Sequence, residues 1–275
     1  MTDDLPARAR SLWEQLAGAP VSFPSDRGSV IAVSAESRLC PVAWAGIVRL
    51  DDAAVITVPD EAQALLFRRA VVDTPVESLM CLSTLRALLP VVEVLGPAVL
   101  AYLSKDDFRP ESGGAAVGCL PPGHEGLRAL AELAGPEDAA ESGIDEVDSP
   151  VFVVRDGPEV VAAAGYRRWP ASTAHLCVLT APQRRGHGLA RQVASGAVAH
   201  ALGAGLLPQW RARPEASRRV AAALGFREIG GQLSDWDSIR ACDESRSRRF
   251  RVFLPTGLEA GGAGGVVVTP HPVRG

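Results

Sequence analysis

Lysine is almost missing from this chain: Lys105 is the only one, and arginine supplies the rest of the 28 basic residues. Those 28 do not outnumber the 32 acids, so the formal net charge is −4 and the pI lies near 5.8. A mildly acidic protein has no surplus of cations with which to displace counterions from a phosphate backbone, and nucleic acid is excluded as an expected partner. Cysteine is sparse and unpaired. The five (Cys40, Cys81, Cys119, Cys177 and Cys242) are odd in number and scattered, with no spacing of a metal site or a redox pair. They read as reduced thiols, and no metal is expected. Long apolar runs are also lacking. The longest, Val91 to Leu103, is interrupted by Glu93, Gly96 and Pro97 and is too short to span a bilayer. The acidic start, Met1-Thr-Asp-Asp-Leu-Pro, has no apolar stretch behind it and does not read as a secretory signal. The expectation is a cytoplasmic protein with no membrane partner.

What is present fits a folded protein. A hydrophobic share of 47% with 22% charged residues excludes wholesale disorder, and 275 residues predict one large or two modest domains. Residues 1–94 read as a small α/β lobe. Strands are expected at 29–34, 45–50 and 54–58, with helices from Pro59 to about Val72 and from Pro75 to Leu89. No chemistry-bearing cluster stands out there, so the expected role of the lobe is to support or cover the remainder of the chain. Residues 95–255 alternate strand and helix. Ala98 to Leu103 reads as a strand, followed by loop and short helices up to Ile144. Asp156-Gly157-Pro158 between two β-rich runs predicts a hairpin, and a third strand, Ala174 to Thr180, stops before Pro182. A helix from Gly188 to about Leu202 places Leu189, Val193, Ala197 and Ala201 on one face. A strand over 206–211, a helix from Pro214 to Leu224 closed by Gly225, and a strand from Phe226 complete the pattern. Arg251-Val-Phe-Leu reads as one last strand, and 256–275, rich in glycine, as a flexible tail.

The informative stretch is Val178-Leu-Thr-Ala-Pro-Gln-Arg-Arg-Gly-His-Gly-Leu-Ala-Arg191: a strand, a proline stop, a glycine-punctuated turn and a helix. Such a turn presents successive backbone N–H groups at the positive end of a helix, which suits an anion. Gly186 and Gly188 allow close backbone approach, Ala190 keeps the first helical turn small, and Arg185 adds a guanidinium suited to phosphate. A diphosphate is the ligand this chemistry points to.

Arg185-Gly-His-Gly-Leu-Ala190 resembles the Arg/Gln-x-x-Gly-x-Gly/Ala signature of the GNAT superfamily of acyl-CoA-dependent N-acyltransferases. The shifted frame Gln183-Arg-Arg-Gly-His-Gly188 also fits. Ala223-Leu-Gly-Phe226 resembles the family's second signature, where a helix ends in Leu-Gly-Phe. The resemblance covers about residues 150–234. It implies a central mixed sheet flanked by helices (an α/β class with α+β character), to which the amino-terminal lobe is added, a candidate degenerate relative. It also implies acetyl-CoA as acyl donor and a small-molecule or peptide amine as acceptor, joined by direct attack in a ternary complex. Val178, Leu179 and Thr180 would contact the pantetheine arm, and the amides of Gly186, His187, Gly188, Leu189, Ala190 and Arg191 would hold the diphosphate.

The chain departs from the family pattern where acid and base usually stand. Ala221 occupies the place of the usual tyrosine acid and Ala174 that of the usual glutamate base, while the only tyrosines are Tyr102 and Tyr166. His175, adjacent to Ala174, is the candidate base, against a packed histidine. Ser217 is a candidate cofactor contact, against a helix cap. Cys177 reads as core rather than nucleophile. One of Arg167, Arg168, Arg211, Arg213, Arg218 and Arg219 is a candidate for the 3′-phosphate, against a solvated basic face. Trp169 and Trp210 read equally as acceptor-pocket walls or core. Asp106 with Asp107 and the basic run 246–251 read as solvated. The missing acid and base leave open an acyl-CoA-binding regulatory protein without catalysis, and a donor larger than acetyl is a further possibility.

Overall fold

A computed structural model describes residues 4–237 apart from 112 and 115. The strand expected at Arg251, the basic run, Cys242 and the glycine-rich tail lie outside the described residues. The chain opens with a helix that the sequence pattern did not separate, α1 (Leu5–Leu16). Asp4 caps it by accepting the Ala7 N–H at 3.2 Å, and Leu5, Ala9, Leu12, Trp13 and Leu16 form its buried face. Strands β1 (Gly28–Val33), β2 (Ala45–Leu50) and β3 (Ala53–Val58) and helix α2 (Glu61–Val71) come next, as expected. Asp60 caps α2 through the Gln63 N–H, and Arg68 and Arg69 close its last turn.

The single helix expected from Pro75 to Leu89 is instead a 3-10 turn (Val76–Met80) and α3 (Leu82–Leu88), separated by an extended Cys81. Packing explains the break. Leu79 and Leu85 are both fully buried in one core cluster, yet six residues of continuous helix would set them about 240° apart. Interrupting the helix at Cys81 resets the phase and turns both inward.

The remaining elements are β4 (Val91–Tyr102), β5 (Gly118–Leu120), α4 (Glu125–Ala134), α5 (Pro136–Ser142), β6 (Val151–Asp156), β7 (Glu159–Trp169), β8 (Thr173–Thr180), α6 (Leu189–Gly203), β9 (Leu207–Ala212), α7 (Glu215–Ala223) and β10 (Arg227–Asp237). The described strands form one mixed sheet in the order β1-β3-β2-β10-β4-β9-β8-β7-β6-β5. Pairing is parallel for β1 with β3 and β8 with β9, and antiparallel elsewhere. The sheet runs across residue 94, because β10 pairs with β2 on one side and β4 on the other.

Helix α6 lies on the sheet through Val193, Ala197, Val198 and Ala201, the face the sequence predicted, and Gly196 brings it close to Phe152. Helix α1 packs with Leu100, Tyr102, Trp169, Leu207 and Ile229. At the centre of that cluster Trp13 donates its indole N–H to the Tyr102 hydroxyl at 2.5 Å, fully buried. The amino-terminal segment thus shares both a strand ladder and a core with the rest of the chain. Among the described residues no helix is long and apolar enough to cross a membrane.

Candidate active site

Strands β8 and β9 pair only over Thr173–His175 with Leu207–Gln209, and then diverge. Each keeps its outer neighbour, β8 on β7 and β9 on β4, so the divergence leaves only the facing edges without a strand partner. The resulting V is a cleft of about 620 Å³. Leu176, Val178, Leu179 and Thr180 line one side and Trp210, Arg211 and Ala212 the other, with the start of α6, the inner face of α7 and helix α5 completing it.

The 182–188 turn stands at one end of the cleft. After a 3-10 turn at Pro182–Arg184 the chain passes Gly186 (φ 81°) and Gly188 (φ 76°), both in the left-handed region. A Cβ placed on either would meet no atom within 4 Å, so the turn is open in the space a ligand would use. Helix α6 starts after Gly188 with no side-chain cap. Among the described residues no protein acceptor meets the amides of 186 to 190, whereas the Arg191 amide, expected to join them, is taken by the Gly188 carbonyl at 3.1 Å as the helix begins. Unsatisfied amides at a helix N-terminus form an anion site. The Thr180 Oγ1 is buried without a hydrogen-bond partner beside the cleft, as expected of a group whose partner is a ligand. These features fit a diphosphate on an amide-bearing arm, the chemistry of coenzyme A.

The structure brings together Val178, Leu179, Thr180, Arg185, Gly186, Gly188, Leu189, Ala190, Arg191 and Ser217 on the cleft walls. The His187 side chain is not with them; it is exposed, its Nδ1 hydrogen-bonded to the Arg184 carbonyl at 3.3 Å, while its amide belongs to the turn. Ser217 accepts the Trp210 indole N–H at 3.0 Å, which fixes the indole against α7. Of the cleft arginines, Arg185 pairs with Asp138 at 2.5 Å, Arg184 with Asp156 and Arg191 with Glu111. Arg219 and Arg211 have no carboxylate partner among the described residues. Of the other candidates, Arg218 is held by Glu228 and Glu215, Arg167 by Glu146, Arg168 by Asp148 and Arg213 by Glu141.

His175 lies at the closed end of the V, away from the residues that line the cleft. Its ring stacks on Trp169 with centroids 4.1 Å apart, and its Nδ1 bonds the Gln209 side chain at 2.5 Å. Burial, reinforced by the charge of Arg211, pulls its pKa down to about 3. An imidazole so weakly basic is a poor proton acceptor at neutral pH, so the base expected here is better described as a packed, neutral histidine. Trp169, edge-on to Trp13 as well, belongs to the core. Cys177 is buried, its thiol pushed up to about 12 by burial, which agrees with a core residue. Asp107 accepts from Ser104 in an exposed turn.

Neither tyrosine reaches the cleft. The Tyr102 hydroxyl accepts from Trp13, and that of Tyr166 is bonded to His200 at 3.0 Å. The sequence pattern did not reveal Asp138, Glu141 and Ser142, which α5 contributes to the cleft. The only local signal for them was Pro136 opening a short acidic helix that ends at left-handed Gly143. Glu141 grips Arg213 in a two-point pair. A second, smaller cavity of about 120 Å³ adjoins the cleft and shares Glu141, Arg211 and Ala212 with it.

Residues 151–231 match a family model described as GNAT acetyltransferase. No curated protein matches the sequence. Among solved structures, a putative GNAT-family acetyltransferase from Novosphingobium aromaticivorans is 22% identical, over 53% of this chain and 65% of that one, with a TM-score of 0.41. A GNAT-family acetyltransferase from Colwellia psychrerythraea is 16% identical over 65% and 74%, with a TM-score of 0.44. The putative acetyltransferase yncA from Salmonella typhimurium, solved with its cofactor acetyl-CoA, is 18% identical over 44% and 94%, with a TM-score of 0.33. The chain thus spans less than two thirds, 65%, of the length of the first of these.

Proposed function

Residues 151–231 belong to the GNAT acetyltransferases, and from that premise we propose that this protein transfers an acetyl group from acetyl-CoA to an amine in a single ternary complex. The observation that carries this reading is the open V between β8 and β9 with unpartnered amides at its end. The amides of 186–190 would hold the diphosphate, and the pantetheine arm would run along the free edge of Val178–Thr180, its amides within reach of the unpaired Thr180 hydroxyl. Arg219, at the cleft wall and without a carboxylate partner among the described residues, is the candidate for the 3′-phosphate.

In the transfer the amine nitrogen adds to the thioester carbonyl carbon, the C–S bond breaks, and the proton lost from nitrogen ends on the departing sulfur. With no tyrosine in the cleft and His175 enclosed, the protein contributes chiefly by holding donor and acceptor in register. Positive charge helps as well. Arg211 lines the cleft with no ion pair among the described residues, and a nearby guanidinium favours the neutral, nucleophilic form of an amine over its ammonium.

The test is release of free thiol from acetyl-CoA over a broad amine panel. Turnover above the protein-free blank is expected, and Gly188→Trp, which sets a large side chain in the open turn at φ 76°, should abolish it together with CoA binding. Absence of both thiol release and calorimetric CoA binding by the native protein overturns the reading. Tight CoA binding with no turnover on any amine would instead favour the acyl-CoA-binding protein without catalysis.

A further inference from the structure

The smaller cavity beside the cleft is built from parts of the chain far apart in sequence. Arg38, Leu39, Cys40 and Pro41 of the amino-terminal lobe line it together with Gly96 and Ala98 of β4, Gln232 and Ser234 of β10, Arg211 of β9 and Arg213 just beyond it. Its charge is lopsided. Three guanidiniums, Arg38, Arg211 and Arg213, meet one carboxylate, Glu141, and that carboxylate is already taken by Arg213. Arg211 donates from Nη1 to the neutral Gln232 Oε1 at 3.2 Å, and among the described residues no carboxylate is in ion-pair contact with it, although the charges of Glu141 and Glu146 are felt there. Gln232 cannot turn away, because its Nε2 donates to the Leu39 carbonyl at 2.7 Å, fully buried. The half-buried Arg211 thus presents its guanidinium to a small polar cavity. A charge in that position calls for an anion.

The two cavities meet at Arg211, Ala212 and Glu141. A group held in the smaller one therefore stands beside the wall behind which the thioester would lie. We propose that the acceptor is a small amine that also carries a carboxylate, an amino-acid-type molecule whose carboxylate is gripped by Arg211 and Arg38. This rests on the acyl-transfer reading above and adds the substrate class. The 39–41 loop is set in place by close packing: a Cβ on Gly46 would stand 2.9 Å from the Leu39 Cβ. The amino-terminal segment, in which the sequence showed no chemistry, thus supplies a specificity residue in Arg38.

The experiment compares matched pairs: each of a set of amino acids and the primary amine left when its carboxylate is removed. With acetyl-CoA and the full chain, kcat/KM should be at least about 100-fold higher for the amino acids, as befits a site whose charged group is left unpaired by the analogue. Arg211→Gln should raise the amino-acid KM tenfold or more and shrink the gap between the pairs. Arg38→Gln, which lines the smaller cavity and not the cleft, should do the same to a smaller degree with acetyl-CoA affinity by calorimetry within about twofold of native, and guards against misfolding at the Arg211 site. Equal or better turnover of the carboxylate-free amines overturns the proposal while leaving acetyl transfer intact. So does an unchanged amino-acid KM in both variants. Where turnover is too slow to compare, calorimetry with CoA present takes over: an N-acetylated amino acid should bind and its N-acetylated amine analogue should not, and equal binding or no binding of both overturns it. Loss of CoA binding itself, with no turnover, is the distinct failure of the transferase reading.

Discussion

His175 illustrates how a single residue changes meaning between sequence and structure. In the sequence it stands next to the place of the family's base; in the fold it stacks on Trp169 and is held neutral, at a pKa of about 3 against an ordinary value near 6.5. Between those two values the unfolded chain binds a proton that the native state refuses, so native stability is complete above about pH 6.5 and falls as the pH drops toward 3. Within that window the slope from one such histidine is about 1.4 kcal/mol per pH unit. Urea denaturation of the native protein and His175→Gln at pH 7, 6 and 5 should therefore show stability curves that converge as the pH falls. Parallel curves would mean that the imidazole is not enclosed. The same residue scale separates the legible from the hidden in the cleft. Gly186 and Gly188 were readable because only a turn needing left-handed backbone favours two glycines there, and both have positive φ. Arg211 and Arg219 could not be told from the other arginines, because their distinction is the absence of an ion-paired carboxylate among the described residues, which depends on residues far away in sequence.

Helix α6 carries a similar contrast at the scale of an element. Its buried stripe, Val193, Ala197 and Ala201, was visible from the four-residue spacing. The role of Gly196 was not, since nothing local shows that the Phe152 ring lies against it: an added Cβ would be 2.6 Å from Cδ1 and 2.9 Å from Cγ. Gly203, exposed in the last turn of the same helix, has no atom within 4 Å of that position. Gly196→Ala should thus lower stability by about 1–2 kcal/mol, because overpacking outweighs the better helix propensity. Gly203→Ala should raise it by about 0.5 kcal/mol. Chemical denaturation of the two variants checks both signs, and stabilisation by Gly196→Ala would show that Phe152 yields freely. The region of α3 shows the opposite outcome: pattern alone gave one helix, and the need to bury both Leu79 and Leu85 broke it at Cys81.

Across the whole molecule, the boundary drawn near residue 94 falls inside a continuous sheet. Removing 1–94 would strip β2 from β10 and expose the cluster in which Trp13 meets Tyr102 and Trp169. Each large side chain lost from that cluster is worth about 1.5–3 kcal/mol of burial, against a total stability of about 5–15 kcal/mol for a typical domain. We expect the full chain to unfold in one cooperative transition and a 95–275 fragment to lack native near-ultraviolet dichroism and CoA binding. A fragment that folds and binds CoA unaided would show the lobe to be an independent addition.

By itself the sequence determined most strands, the α6 stripe and the glycine turn, because each is set by residues within a few positions of one another: alternation, four-residue spacing, proline stops and left-handed glycines. The mixed sheet and the kinship of residues 151–231 came from the order of those local pieces. The tertiary structure alone decided that β10 joins the two parts of the chain, that His175 is enclosed, and that Arg38 and Arg211 share a cavity. These depend on which distant groups become neighbours, and on which charges are left without an opposite. Such facts come into being only when the chain has closed on itself.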